Sequence, residues 1–257
     1  MLQVKNVTQE FGGIVANKDI SFSIDEHAIV GLIGPNGAGK STLFNVISAI
    51  YKPTKGEILF NGKRIDGLAP HKIAALGISR TFQNLQVFRN MSVIENVMVG
   101  CHTNSKTGMI QSALRLPNVL KEEDIVYEKC LEYVEFVGLE KELEILAGNL
   151  PLGKLRLLEL ARALAVEPKL ILLDEIAAGL NHNETKEMSG LIKKIRDKGI
   201  SVLVVEHDMD LVMGICDSII VINQGEKIAE GTPYEIQQNP DVIKAYLGEE
   251  EEKSVAN

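Results

Sequence analysis

Eight consecutive residues, Gly34-Pro35-Asn36-Gly37-Ala38-Gly39-Lys40-Ser41, restrict what this chain can fold into more than any other stretch. They match the spacing G-x-x-x-x-G-K-[ST]. They follow the apolar run AIVGLI over 28–33 and open KSTLFNVISAI, in which Leu43, Val46, Ile47 and Ile50 fall at helical spacing. The order strand, glycine-rich turn, helix is a phosphate-binding device. Glycines let the backbone curl until successive N–H groups face one concavity, and the helix adds its unpaired first-turn amides and the positive end of its dipole. Gly34 to Thr42 is therefore the expected nucleotide-binding set. Within it, Lys40 would reach the β- and γ-phosphates and the Ser41 hydroxyl would ligate magnesium.

A second constellation lies at 170–175, LILLDE, a buried strand ending in two carboxylates. Strand ends are where an α/β sheet presents groups to a ligand. Asp174 offers magnesium a hard oxygen, directly or through water, and Glu175 can polarise an attacking water. Acidic residues at a strand end usually just face solvent, and it is the glycine-rich loop upstream that gives this pair its weight. These two elements describe any P-loop ATPase or small P-loop kinase. A kinase would also need a lid and an acceptor pocket, and neither is marked.

The remaining pattern supplies the scaffold. Alternation over 2–7 and 20–24, and a strand over 57–60 running into Asn61-Gly62, predict an antiparallel patch. Residues 84–165 carry apolar stripes at three- and four-residue intervals, predicting an inserted helical subdomain, with a polar loop or docking insertion over 102–118. Beyond it come a strand over 170–173, a helix over 184–197 closed by Gly199, the strand SVLVVE, a helix from about Asp208, and a turn at Gln224-Gly225. The expected fold class is α/β. A P-loop core with a mainly parallel sheet spans 1–83 and 166–257 and carries the antiparallel patch, and the acidic run over 249–252 reads as a frayed tail.

Composition excludes several classes. The formal charge is -8 over 257 residues, which disfavours phosphodiester partners, so no nucleic acid is expected. Cys101, Cys130 and Cys216 are widely spaced and odd in number, as for reduced thiols serving as buried filler. The first residues have neither the basic start nor the apolar stretch of a secretory signal. No apolar run approaches the roughly 18 residues of a spanning helix, so any membrane contact would go through a protein partner or the surface.

Three further residues stand in a telling order: Phe11 near the start, Gln83 after ISRTF, and His207 after SVLVVE. With DEIAAGLN, VEHDMDLVMGICDSIIVINQGEKIAEGTP and NPDVIKAYLG, the whole chain resembles the ATP-binding subunits of ABC transporters, in particular those of branched-chain amino acid importers. The resemblance implies ATP and magnesium as ligands and hydrolysis of ATP. It implies Phe11 stacked on adenine, Gln83 linking the metal site to membrane subunits, and His207 holding the γ-phosphate and attacking water. Implied partners are integral permease subunits, a second ABC ATPase and, indirectly, a solute-binding protein, at the cytoplasmic face of the membrane. Each residue has a plainer role open to it: Phe11 in the core, Gln83 as a polar loop residue, His207 as a strand-end histidine.

Two departures from the family pattern matter. Where an LSGGQ-like signature would stand, this chain has Leu150-Pro151-Leu152-Gly153-Lys154, keeping only the leucine and Gly153. The resemblance implies that this loop, with Gly153, reaches across a dimer to the γ-phosphate held by the other subunit's P-loop; there Pro151 brings neither hydroxyl nor N–H, Leu152 adds bulk where backbone should approach phosphate, and Lys154 restores charge without hydrogen-bond geometry. Ile176 replaces the proline that commonly follows the glutamate. The expectation is a heterodimer with a sibling ATPase whose signature is intact, a homodimer being the lesser option. A non-hydrolysing regulatory subunit and a soluble ABC ATPase are the rival functions.

Overall fold

The computed structural model describes residues 1–101 and 117–246. The predicted loop over 102–118 and the acidic tail over 249–252 fall outside these residues, except that a helix has begun by Pro117. The chain opens with β1 (Leu2–Phe11) and β2 (Ile14–Ile24), joined at Gly12-Gly13. β3 (Ile29–Ile33) then leads through the glycine-rich loop to α1 (Lys40–Ile47). β4 (Lys55–Phe60) and β5 (Lys63–Arg64) form the hairpin that Asn61-Gly62 predicts, with both turn residues at positive φ. After α2 (Pro70–Ala75) and β6 (Ile78–Arg80) the described residues include the helices α3 (Val93–Cys101), α4 (Pro117–Phe136) and α5 (Leu152–Leu164).

The alternating pattern resumes with β7 (Leu170–Asp174), α6 (His182–Asp197), β8 (Ser201–Val205), α7 (Met209–Ile215), β9 (Ser218–Asn223), β10 (Glu226–Gly231) and α8 (Pro233–Gln238). α6 starts two residues earlier than its apolar period suggests. Asn181 caps it, accepting from the N–H groups of Asn183 and Glu184 while Glu184 returns to the Asn181 N–H, so the polar residues before Glu184 already belong to the helix.

Two sheets result. One is antiparallel in the order β2-β1-β4-β5; the other runs β10-β9-β3-β8-β7-β6 and is parallel except for β10. Period-two alternation in the parallel strands divides the core between two layers. Leu170, Leu172, Leu203 and Val205 pack with α1 and the antiparallel sheet. Their neighbours Ile171, Leu173, Val202 and Val204 pack with α3 to α7 on the opposite face. Each such side chain contributes about 1.5–3 kcal/mol on full burial. A strand buried on both faces has no polar period, which is why these strands read as continuous apolar runs.

The thiols are free and buried, as the sequence predicts, and two of them meet. Spacing gave no pair, yet the Sγ atoms of Cys101 and Cys130 lie 2.8 Å apart where α3 crosses α4, both buried. Sequence separation does not report helix crossings.

Candidate nucleotide site

The loop 34–41 sits at the carboxyl end of β3, at the centre of the parallel sheet. Its shape is enforced by sterics. A Cβ on Gly34 would fall 2.0 Å from the Ile222 carbonyl oxygen, and one on Gly39, at φ 100, would fall 2.4 Å from that of Ala16. At Gly37, φ 76, the same added atom would meet open space, so here the backbone conformation and not packing favours glycine. Neighbouring elements brace the loop: buried Asn17 donates Nδ2 to the Gly39 carbonyl at 3.1 Å, and the Gly225 N–H at the β9–β10 turn donates to Ala38 O at 3.0 Å. The second hairpin signal in the sequence is thus a support for the first motif.

Gly39 is also the cap of α1, so this helix has no capping side chain and its first amides open towards the loop. Lys40 is buried, and its Nζ donates to the carbonyls of Gly34 and Pro35 at 2.6 and 2.8 Å. Its ammonium therefore spans the mouth of the loop. Ser41 is exposed and Thr42 half-buried behind it, and Asn36 is exposed at the loop's crest.

Asp174 closes β7 and is almost wholly buried, its N–H bound to Thr81 Oγ1 at 3.1 Å. Arg80 Nη2 donates to its Oδ2 at 2.7 Å. Beside it, three residues singled out in the sequence converge: Glu175 accepts from Gln83 Nε2 at Oε2 over 2.9 Å, and its Oε1 lies 2.8 Å from His207 Nε2. Glu175 sits at φ 50, in the left-handed region, with its N–H bonded to Val205 O at 2.9 Å. A proline after it would bias the residue towards extended backbone; Ile176 imposes no such bias and is instead fully buried in the helical-side core. The strand-end turn is held from below by Glu206, buried, which accepts from the Ala177 and His207 N–H groups. Burial pushes the Glu206 carboxyl above the usual range, and those two N–H bonds pull part of the way back.

Phe11 is not core. Its ring is exposed and meets Tyr51 edge-on at 5.2 Å, offering an aromatic platform at the tip of the β1–β2 hairpin. Backbone curl, Lys40, hard oxygens at Asp174 and Ser41 and this platform are a donor set that fits a magnesium-bound nucleoside triphosphate.

The signature-like segment is built otherwise. Pro151, at φ -66 and ψ 160, occupies the cap position of α5, one residue before the first helical turn in which proline is usually accommodated, and no side chain caps the helix. Gly153 lies against α6: a Cβ there would fall 2.5 Å from Glu184 Oε1, so that side chain would have to swing aside. Leu152 leans over Gly179 in the same way. The Lys154 ammonium is engaged by Glu142, so its charge is committed within the helical region. Further along α5, Glu159 accepts from the Phe82 N–H at 3.1 Å and from Arg156 at 3.3 Å, and Arg156 Nη2 donates to Gln83 O at 3.2 Å. α5 thereby grips the backbone that carries Gln83.

Arg80, Glu206, Asn17, Tyr51, Arg156 and Glu159 were not foreseen. Two left a trace: Arg80 and Glu206 are charges at the ends of apolar strands, where burial demands a partner. Asn17 and Tyr51 left none.

Comparisons with known proteins agree with this geometry. The family model described as ABC transporter matches residues 17–178, and one described as branched-chain amino acid ATP-binding cassette transporter matches 226–252. The chain is 44% identical over 250 residues to the high-affinity branched-chain amino acid transport ATP-binding protein LivG of Salmonella typhimurium, covering 97% of this chain and 98% of that protein. It is equally similar to BraF of Pseudomonas aeruginosa, at 44% identity and the same coverage. Among solved structures, a nucleotide-free ATP-binding cassette from an ABC transporter superposes with a TM-score of 0.84 at 32% identity, covering 96% of this chain and 98% of that one. The ADP conformation of an ATP-binding cassette gives the same values. The chain belongs to the ABC transporter family of ATP-binding proteins, within the group that contains LivG and BraF.

Proposed function

We propose that this chain is the magnesium-dependent, ATP-hydrolysing motor of an importer for branched-chain amino acids, seated at the cytoplasmic face of the membrane against integral permease subunits and a sibling ATPase. As a member of its family it binds nucleotide and hydrolyses ATP. Among the described residues no helix is long and apolar enough to cross a membrane, so contact with the bilayer is assigned to those permease partners. They and a solute-binding protein would choose the cargo.

The observation that carries the proposal is the Glu175 carboxylate held between Gln83 and His207, next to Asp174 at the carboxyl end of β7, in the sheet whose β3 leads into the glycine-rich loop. In this assignment the loop amides and Lys40 hold the phosphate chain, Phe11 stacks on the base, and Ser41, Gln83 and Asp174 hold the metal. Bound magnesium supplies positive charge to the phosphates. Glu175 accepts hydrogen-bond character from the attacking water, His207 orients both, and Gln83 passes the state of the site to the segment that follows it. Replacing Glu175 by Gln should lower hydrolysis by about 10²–10⁴-fold with nucleotide affinity retained. Turnover unchanged by that replacement would remove Glu175 from the mechanism.

The segment 150–154 supports pairing with a different ATPase. With Pro151 and Leu152 at the α5 start and Lys154 held by Glu142, this chain offers a sibling's phosphate few donors. The isolated protein should bind ATP and turn it over poorly, and brisk hydrolysis by a homodimer would contradict the asymmetry. The same segment gives a regulatory subunit its support. In the assembled complex, transport insensitive to Glu175→Gln would favour that role.

A further inference from the structure

We infer that Arg80 is the positioning residue for Asp174, fixing that carboxylate against the P-loop helix and so setting how strongly magnesium tightens nucleotide binding. This deepens the nucleotide site proposed above and rests on it. Arg80 ends β6, beside the strand that delivers Asp174, and its guanidinium is spread over three acceptors on two elements. Nη2 donates to Asp174 Oδ2 at 2.7 Å, while Nη1 donates to Asn45 Oδ1 at 2.7 Å and Ser48 Oγ at 2.8 Å. Both of the latter follow Ser41 in the chain, Asn45 lying one helical turn after it on the same face of α1 and Ser48 at the helix's C-cap. The fork therefore ties Asp174 to the helix that begins beside Ser41, the other group assigned to magnesium.

The guanidinium plane is itself fixed. Its central carbon lies 4.9 Å from the Phe44 ring centroid on α1 and 5.1 Å from that of Phe82, the residue before Gln83. Sandwiched between rings and bound at both η nitrogens, it has one orientation, and Oδ2 of Asp174 has one partner. Among the described residues no hydrogen bond reaches Oδ1, which is left as the oxygen for metal or metal-bound water.

A purely structural role explains less. Buried ion pairs are often replaceable by apolar residues without loss of stability, and here the Arg80 Nε is also buried without a partner. An arrangement of that kind is economical when orientation, not stability, is what it secures. Partners that orient metal-binding carboxylates commonly alter metal affinity by about 10–100-fold when removed.

The test is calorimetric titration of the full chain with a non-hydrolysable ATP analogue, in magnesium and in EDTA, for the wild type, Arg80→Gln and Arg80→Lys. The expected result is unchanged affinity in EDTA and a magnesium-dependent tightening reduced by about 10–100-fold in both variants. Lysine should fail to rescue because its compact ammonium, although it has three donors, cannot present two separated nitrogens to Asp174 on one side and to Asn45 and Ser48 on the other. If the Arg80 variants melt too low to titrate, Asn45→Ala combined with Ser48→Ala frees the fork from α1 while leaving Asp174 paired, and should show a smaller loss of the same kind. Wild-type magnesium dependence in Arg80→Lys, or equal weakening with and without magnesium, overturns the inference while leaving the nucleotide site standing. Wild type that binds no nucleotide in either buffer overturns both.

Discussion

The loop at 34–41 and the turn into α5 at 150–154 both start helices, both contain glycine, and are held in place by different means. The first is shaped by main-chain sterics. Gly34 and Gly39 approach foreign carbonyl oxygens so closely that no other residue fits, and the bracing contacts come from Asn17 and the β9–β10 turn. The second is shaped by side chains: Gly153 makes room for Glu184, Leu152 covers Gly179, and Lys154 is drawn to Glu142. A backbone-made site admits one sequence pattern, whereas a side-chain-made junction can drift while keeping its fold. That contrast accounts for an intact phosphate loop and a departed signature in one chain.

Four experiments bear on it. The largest effect should come from Arg156→Ala. It strips the buried Glu159 of its cation and the Gln83 carbonyl of a donor, and should cost about 3–5 kcal/mol in chemical denaturation. Arg156→Met with Glu159→Gln should recover much of it. Should the single variant lose nothing, α5 is not gripping the Gln83 segment. Gly39→Ala comes next, at about 2–3 kcal/mol, because it combines positive φ with a clash against Ala16. Binding of nucleotide should vanish with it, and a variant that still binds would show that the loop tolerates what its geometry forbids.

A smaller effect belongs to pH. Glu206 and Glu159 are raised by burial, so their contribution to stability is full below the ordinary glutamate range and is lost as pH climbs through their native values. Melting temperature should therefore fall as pH rises from that range. Glu206→Gln should flatten the fall, and an identical slope in the variant would mean that Glu206 titrates normally. Smallest of all is Lys154→Ala, at most about 0.5 kcal/mol, since the pair with Glu142 is partly exposed. If that substitution instead abolished nucleotide-driven assembly with a sibling ATPase, Lys154 would be serving phosphate after all.

What the sequence determined is what a local rule or a spacing enforces. The strand–loop–helix around Lys40 is visible because glycine, lysine and serine must stand at fixed intervals for the backbone to curl, and the buried strands are visible because apolar runs have nowhere else to go. Asp174 and Glu175 were legible in the same way, at the end of a buried strand, whereas Phe11, Gln83 and His207 were picked out by their resemblance to a family pattern. Only the tertiary structure decided that Gln83 and His207 close on opposite oxygens of Glu175, that Phe11 faces outward with Tyr51, that Arg80 joins β7 to α1, and that Cys101 meets Cys130. The reason is distance along the chain. Each of these contacts joins residues from 29 to 94 positions apart, across elements whose approach is set by how two core layers pack. No periodicity records which side chains such packing brings face to face.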